Sequence, residues 1–278
     1  MTRYPPPPPY DYSLPPSVWY PVPDYLYLQD VANANRCLES VVPGDVVALD
    51  LEWVGTQPSG RTPREKEVIR RQEASDINFT IDWATVLTGL IQVATKDRPV
   101  FIIDVTVMRV LPVQLIRICI DPRIPKVAPG IMNDCIRMWK DFRVNVRSAV
   151  SLSLYAKLAR PLAFNPEDHF KTEPSLASIV AATTNRAVNK SHRNSNWKAR
   201  PLSLAQLHYA AVDAHSALQA YTVLKAEIDA FDNRDDFKDE WTSFDFVDGR
   251  AVNMGDSTPW DAYCPWWSFV QPLGFRLA

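Results

Sequence analysis

Glycine is scarce: 8 residues in a chain of 278, against 24 prolines. Neither GxGxxG nor GxxxxGK[ST] occurs, so the phosphate-cradling loops of dinucleotide and P-loop proteins are excluded. The four cysteines, Cys37, Cys119, Cys135 and Cys264, include no CxxC pair, which fits reduced thiols rather than a disulfide framework or zinc knuckle. The four histidines, His169, His192, His208 and His215, show no HExxH spacing, which speaks against a histidine-based zinc site. Every apolar run breaks well before eighteen residues and the N-terminus lacks a charged-then-apolar signal pattern. The expectation is an intracellular, non-membrane protein of nucleus and/or cytoplasm. Charge of one sign is also missing overall, with 30 Lys+Arg against 32 Asp+Glu and a net of -2, which taken alone argues against a nucleic-acid coat protein.

The content that remains is that of a soluble globular chain: 46% hydrophobic and 22% charged residues, long enough to bury a sizeable core. Nine of the 24 prolines fall within residues 1–23, so residues 1–24 read as an extended, Pro-rich disordered tail. Its Pro7-Pro8-Pro9-Tyr10 fits a PPxY ligand, and Arg3 with Pro6 and Pro9 fits RxxPxxP. A WW/SH3-type partner and a plain spacer are both open readings.

Globular patterning starts at about residue 25. A short aromatic strand is expected at Tyr25 to Leu28 and a helix around Asp30 to Glu39, followed by strands at Val46 to Val54, Leu87 to Ala94 and Pro99 to Val105. Helices are expected at Pro112 to Ile120, from near Asn133, at Ser151 to Ala159, at Leu176 to Thr183 and at Ser203 to Ala230, with a short strand at Lys126 to Ala128. Three leading strands as a meander, then alternating strands and helices, give an α/β mixed sheet flanked by helices. A polar insertion at about 55–82 is too long for an ordinary hairpin loop. Residues 231–278 form an acidic, Trp-rich C-terminal extension, whose tryptophan density suggests that it packs back onto the domain.

In VVALDLEWV, alternation at a period of two puts Asp50 and Glu52 on one strand face, opposite Trp53. Two carboxylates that close repel unless a proton or cation lies between them, and a hard divalent metal is the economical answer. Asp134 follows Asn133 at a helix start, where the helix dipole favours a carboxylate and, taken alone, a simple cap is the readier role. Tyr209 and Asp213 stand at i and i+4 of the last long helix, with Ala210, Ala211 and Ala214 beside them to allow close approach to a sheet. A tyrosine there is ordinarily core, whereas an aspartate buried without a partner is costly.

Taken in order, LDLEW, GLIQVA, KVAPGIMNDCIRMWKDF and KSHRNSNWKARPLSLAQLHYAAVDAHSALQAY resemble the DEDDy 3'-5' exonucleases, of the ribonuclease D and Werner-syndrome-exonuclease type, over about Tyr25 to Glu227. The resemblance implies a ribonuclease-H-like fold and a 3'-5' exonuclease domain at 25–230. It also implies that Asp50, Glu52, Asp134 and Asp213 bind two Mg2+ or Mn2+ ions and that Tyr209 orients the attacking water. The expected activity is metal-dependent hydrolysis of DNA or RNA phosphodiester bonds from the 3' end, by a two-metal mechanism. The alternatives are a catalytically silent RNA-binding or scaffold protein and an endonuclease of the same fold. Residues 123–200 carry fourteen bases and five acids, a local +9 that suits the backbone of a single strand or recessed 3' end. Lys190 and Arg193 are the expected phosphate contacts, Asn133 is grouped with them, and Trp53 is a base-stacking platform or a core residue. Residues 226–261 carry a compensating -8, so the near-zero total hides two unlike regions.

Overall fold

The computed structural model describes residues 18–54, 80–164, 173–230 and 241–260. The PPxY and RxxPxxP matches of the tail and nearly all of the 55–82 insertion lie outside the described residues, as do 231–240 and 261–278 of the C-terminal extension.

The chain runs β1 (Tyr25–Leu28), α1 (Val31–Leu38), β2 (Val47–Trp53), β3 (Thr88–Thr95), β4 (Val100–Asp104), α2 (Val105–Met108) and α3 (Val113–Ile120). It continues with β5 (Lys126–Ala128), α4 (Ile131–Phe142), β6 (Val146–Ser151), α5 (Leu152–Ala159), α6 (Pro161–Phe164) and α7 (Leu176–Thr184). The last elements are α8 (Leu204–Asp229), β7 (Ser243–Val247) and β8 (Arg250–Val252). One mixed eight-stranded sheet has the order β1-β4-β3-β2-β5-β6-β7-β8. The meander is β2-β3-β4, paired antiparallel, while β1 joins β4 in parallel and β5 and β6 extend the sheet in parallel from β2.

The period-two alternation of the strands divides the core between two layers. On one face Ala48, Leu90, Ala94 and Ile102 pack beneath α5, α7 and α8. On the other Leu49, Ile91, Val93 and Ile103 meet α1, α3 and α4. Helix α8 is buried along most of its length because α5 and α7 cover the side turned away from the sheet. Ala210, Ala211, Ala214 and Ala220 are fully buried, and their small side chains let the helix axis come close to the strands. Its start is fixed by a capping box, Ser203 accepting from the Gln206 N–H while Gln206 accepts from the Ser203 N–H.

Three strands go unannounced in the sequence. β6 is interrupted by Ser148 at φ 52, which shifts its register, and Ser151 ends the strand while capping α5, so no clean alternation survives. β7 and β8 lie in the acidic stretch, where Phe244 and Phe246 supply the buried face and Trp260 stacks on Phe244 at 4.5 Å. Residues 243–252 thus belong to the sheet itself. No helix among the described residues is long and apolar enough to cross a membrane.

Candidate active site

Strand β2 is longer than its neighbour β5, which pairs only with Val47 and Ala48. Beyond Ala48 that edge of β2 is unpaired, and a cleft with a volume of about 1060 Å3 opens beside it. Such an opening past the end of a parallel strand is where α/β sheets generally receive ligands. Asp50 and Glu52 project from this free part of β2 toward α8, which brings Asp213 onto them. One carboxylate oxygen from each of the three lies within 4.8 Å of the others.

Asp134 arrives from the opposite layer. Its helix, α4, begins at Ile131, two residues before the expected start, with Gly130 in the left-handed region (φ 63) as its N-cap. Asp134 therefore sits inside the first turn and the cap role falls to Gly130. Its buried carboxyl accepts from the Leu51 backbone N–H on the open edge of β2.

The protonation behaviour follows from this crowding. Burial pushes the Asp50 carboxyl up to about 7, with the Asp213 charge adding to it and the Lys190 ammonium opposing it. Glu52 is pushed to about 10, first by burial and then by Asp50 and Asp213. Asp134 is raised well above the ordinary carboxylate range by burial and by Asp50. Asp213 is raised by burial against the pull of Lys190, whose Nζ donates to both carboxylate oxygens at 2.9 and 2.8 Å. The Lys190 ammonium thus opposes the crowding at Asp50, Glu52 and Asp213, and Arg193 adds to it at Asp213. Hard oxygen donors held together against their own repulsion fit a hard divalent cation.

Tyr209 lies one turn before Asp213 and is 7% exposed. Burial and the Asp213 charge raise its phenol above its ordinary value, so the hydroxyl stays protonated and able to donate. Its ring is held on three sides: Trp197 at 5.7 Å, His192 at 6.4 Å and the Lys190 ammonium at 5.5 Å. These partners come from one loop, 190–200, which the fold anchors firmly. Arg200 donates to the buried Asp104 from Nε at 2.6 Å, Lys198 donates to the Val86 carbonyl at 2.8 Å, and Trp197 is fully buried. Gly89 on β3 permits that seat, since a Cβ there would lie 2.2 Å from the Trp197 carbonyl oxygen.

All nine residues singled out from sequence line the cleft. Arg193 and Asn133 are exposed at its mouth, and Lys190 is half-buried inside it. Trp53 has a double placement: it borders the cleft, yet packs against the layer opposite the acids with the Arg137 guanidinium 5.5 Å from its ring centre. His215 and His208, adjacent in sequence to the motif residues, point elsewhere. His215 Nδ1 bonds the Tyr20 hydroxyl at 2.8 Å, and His208 meets Tyr25 edge-on. Sequence reasoning missed His192, Trp197 as a support for Tyr209, and Gly89. The unbroken SNW block carried a hint of the second, since a tryptophan amid polar residues must be buried somewhere.

A family model described as 3'-5' exonuclease matches residues 25–229. The chain belongs to the 3'-5' exonuclease family. Among this family's proteins it is 31% identical over 141 residues to Protein RRP6-like 3 of Arabidopsis thaliana, covering 51% of this chain and 15% of that protein. It is 26% identical over 183 residues to the bifunctional 3'-5' exonuclease/ATP-dependent helicase WRN of Mus musculus, covering 65% and 11%. The chain therefore spans a small part of the length of these curated relatives. The solved structure of Escherichia coli RNase D superposes with a TM-score of 0.54 at 21% identity, over 74% of this chain and 46% of that one, and shares the ribonuclease-H-like fold.

Proposed function

We propose that this chain is a metal-dependent exonuclease that removes nucleotides from the 3' end of DNA or RNA. The observation that carries the reading is the set of four buried or half-buried acids, neutralised in part by one lysine, at the open edge of β2. Asp50, Glu52, Asp134 and Asp213 would hold two Mg2+ or Mn2+ ions, which would supply Lewis acidity to the scissile phosphate and a nucleophile at neutral pH. Tyr209 would orient the attacking water by hydrogen bonding, from a ring flanked by Trp197 and His192. Positioning of this kind removes entropy from the reaction before it starts.

Lys190 bridges the acids and the cleft mouth. Lys190, whose Nζ donates to Asp213, and the exposed Arg193 would contact successive backbone phosphates of the bound strand. Trp53, with Arg137 behind it, offers a flat surface to a terminal base. RRP6-like, WRN and RNase D relatives support a nucleic-acid substrate.

The test is a ladder assay on matched 5'-labelled DNA and RNA oligonucleotides, with Mg2+ or Mn2+ and with chelator. Stepwise shortening from the 3' end with release of nucleoside 5'-monophosphates, abolished by chelator, is expected. Intact substrate under all conditions, or cutting of a circular strand, would overturn the reading; binding without turnover would point to the scaffold alternative.

A further inference from the structure

Strand β3 carries a polar side chain in an apolar layer. Gln92 is fully buried, between Leu90 and Ala94 along its strand and beside Ile102 of β4. Ala210, Ala211 and Ala214 of α8 belong to the same packed layer. Among the described residues three buried side-chain polar atoms have no hydrogen-bond partner, and two of them are Nε2 and Oε1 of this one amide. An amide in that state costs free energy that a methionine or leucine of similar size would not.

The register gives the amide a neighbour. Gln92 stands directly opposite Asp50 in the antiparallel β2-β3 pair, so the two side chains leave the sheet on the same face. Asp50 is bordered by the cleft on its β5 side and by Gln92 on its β3 side. The Asp50 carboxyl already accepts from the Leu51 backbone N–H, and further outer donors commonly set the orientation of a ligating carboxylate. The apolar residues around Gln92 offer no competing acceptor along its strand or from Ile102.

We propose that Gln92 is a positioning residue for Asp50, its Nε2–H donating to the Asp50 carboxylate when the four acids hold divalent ions. The role rests on the metal reading above and adds a residue to it. Gln92 touches neither substrate nor ion; it acts through Asp50, and its amide is held ready at a cost to the metal-free fold.

The full chain and its Gln92→Met and Gln92→Leu variants separate this role from simple packing. Thermal melts in chelator and Mn2+ titrations by calorimetry are the two readouts. Both variants are expected to melt in chelator at or above the wild-type temperature, and to bind Mn2+ about tenfold more weakly. The rise in melting temperature on adding Mn2+ shrinks accordingly. Wild-type Mn2+ affinity in both variants would overturn the proposal while leaving the metal reading intact. Lower stability of both in chelator would overturn it too, by showing that the amide serves the fold. A wild-type chain that binds no Mn2+ would remove the metal reading and this proposal together.

Discussion

Two groups of buried acid lie within the same domain and differ in how they are neutralised. Asp104, at the end of β4, is fully buried and saturated: Arg200 donates from Nε and Nη2, the Tyr27 hydroxyl donates as well, and the Val107 N–H caps it at 3.1 Å. Asp245 is similarly served by Arg147 and by the Ser148 N–H at 2.7 Å. Of the four acids beside β2 only Asp213 is paired with a cation among the described residues, Lys190, and burial raises the carboxyls of all four. A carboxylate with its donors in place holds scaffold together, while a cluster short of positive charge is built for cations that arrive later. The saturated Asp104 serves the unsaturated cluster, because its Arg200 anchors the loop that wedges Tyr209.

The sharpest way to break this contrast is to neutralise single acids of the cluster beside β2. Asp50→Asn and Asp213→Asn should each lower exonuclease turnover by on the order of 10^3-fold, about 4 kcal/mol, without loss of melting temperature in chelator. Steady-state rates and melts on the same preparations decide it. The pH profile of stability separates the groups next. Asp50 and Glu52 have folded-state values raised to about 7 and about 10, so the folded chain keeps protons that the unfolded chain releases. Without metal, their stabilising contribution is complete below about pH 4 and is lost as pH rises through 7 and toward 10. Saturating Mn2+ should flatten that slope in urea titrations across the range.

Arg200→Leu tests the saturated site. It strands the Asp104 charge in the interior and should cost about 3 kcal/mol in urea denaturation, with turnover lost in proportion as the loop loosens around Tyr209. The smallest effect belongs to the cleft mouth. Arg193→Ala should weaken oligonucleotide binding by about 1 kcal/mol and reduce the salt dependence by about one counterion, measured by fluorescence anisotropy against ionic strength.

Much of this was legible in the sequence because the site is built from local periodicities. Asp50 and Glu52 fall on one face by the strand repeat, and Tyr209 and Asp213 on one face by the helix repeat, so each pair is oriented by its own element. What the sequence concealed depends on contacts between distant segments. Gly89 reads as an ordinary strand residue until the Trp197 carbonyl is seen against it. Gln92 reads as part of an apolar run until the register sets it opposite Asp50. Asp134 looks like a cap in the sequence because the pattern places the helix start near Asn133, whereas α4 starts at Ile131 after a left-handed Gly130 that no hydrophobic pattern marks. β6 escaped notice for a similar reason, its alternation being broken at Ser148 and its last residue doubling as a helix cap.

Direct counting of bound cations tests the central claim, that the acids beside β2 are short of positive charge and Asp104 is not. In a Mn2+ titration followed by electron paramagnetic resonance, the wild-type chain should take up two ions, and Asp213→Asn should lose at least one of them. Asp104→Asn, where it folds, should keep both. A wild-type chain that binds no Mn2+, or an Asp213→Asn chain that binds as the wild type does, would contradict it.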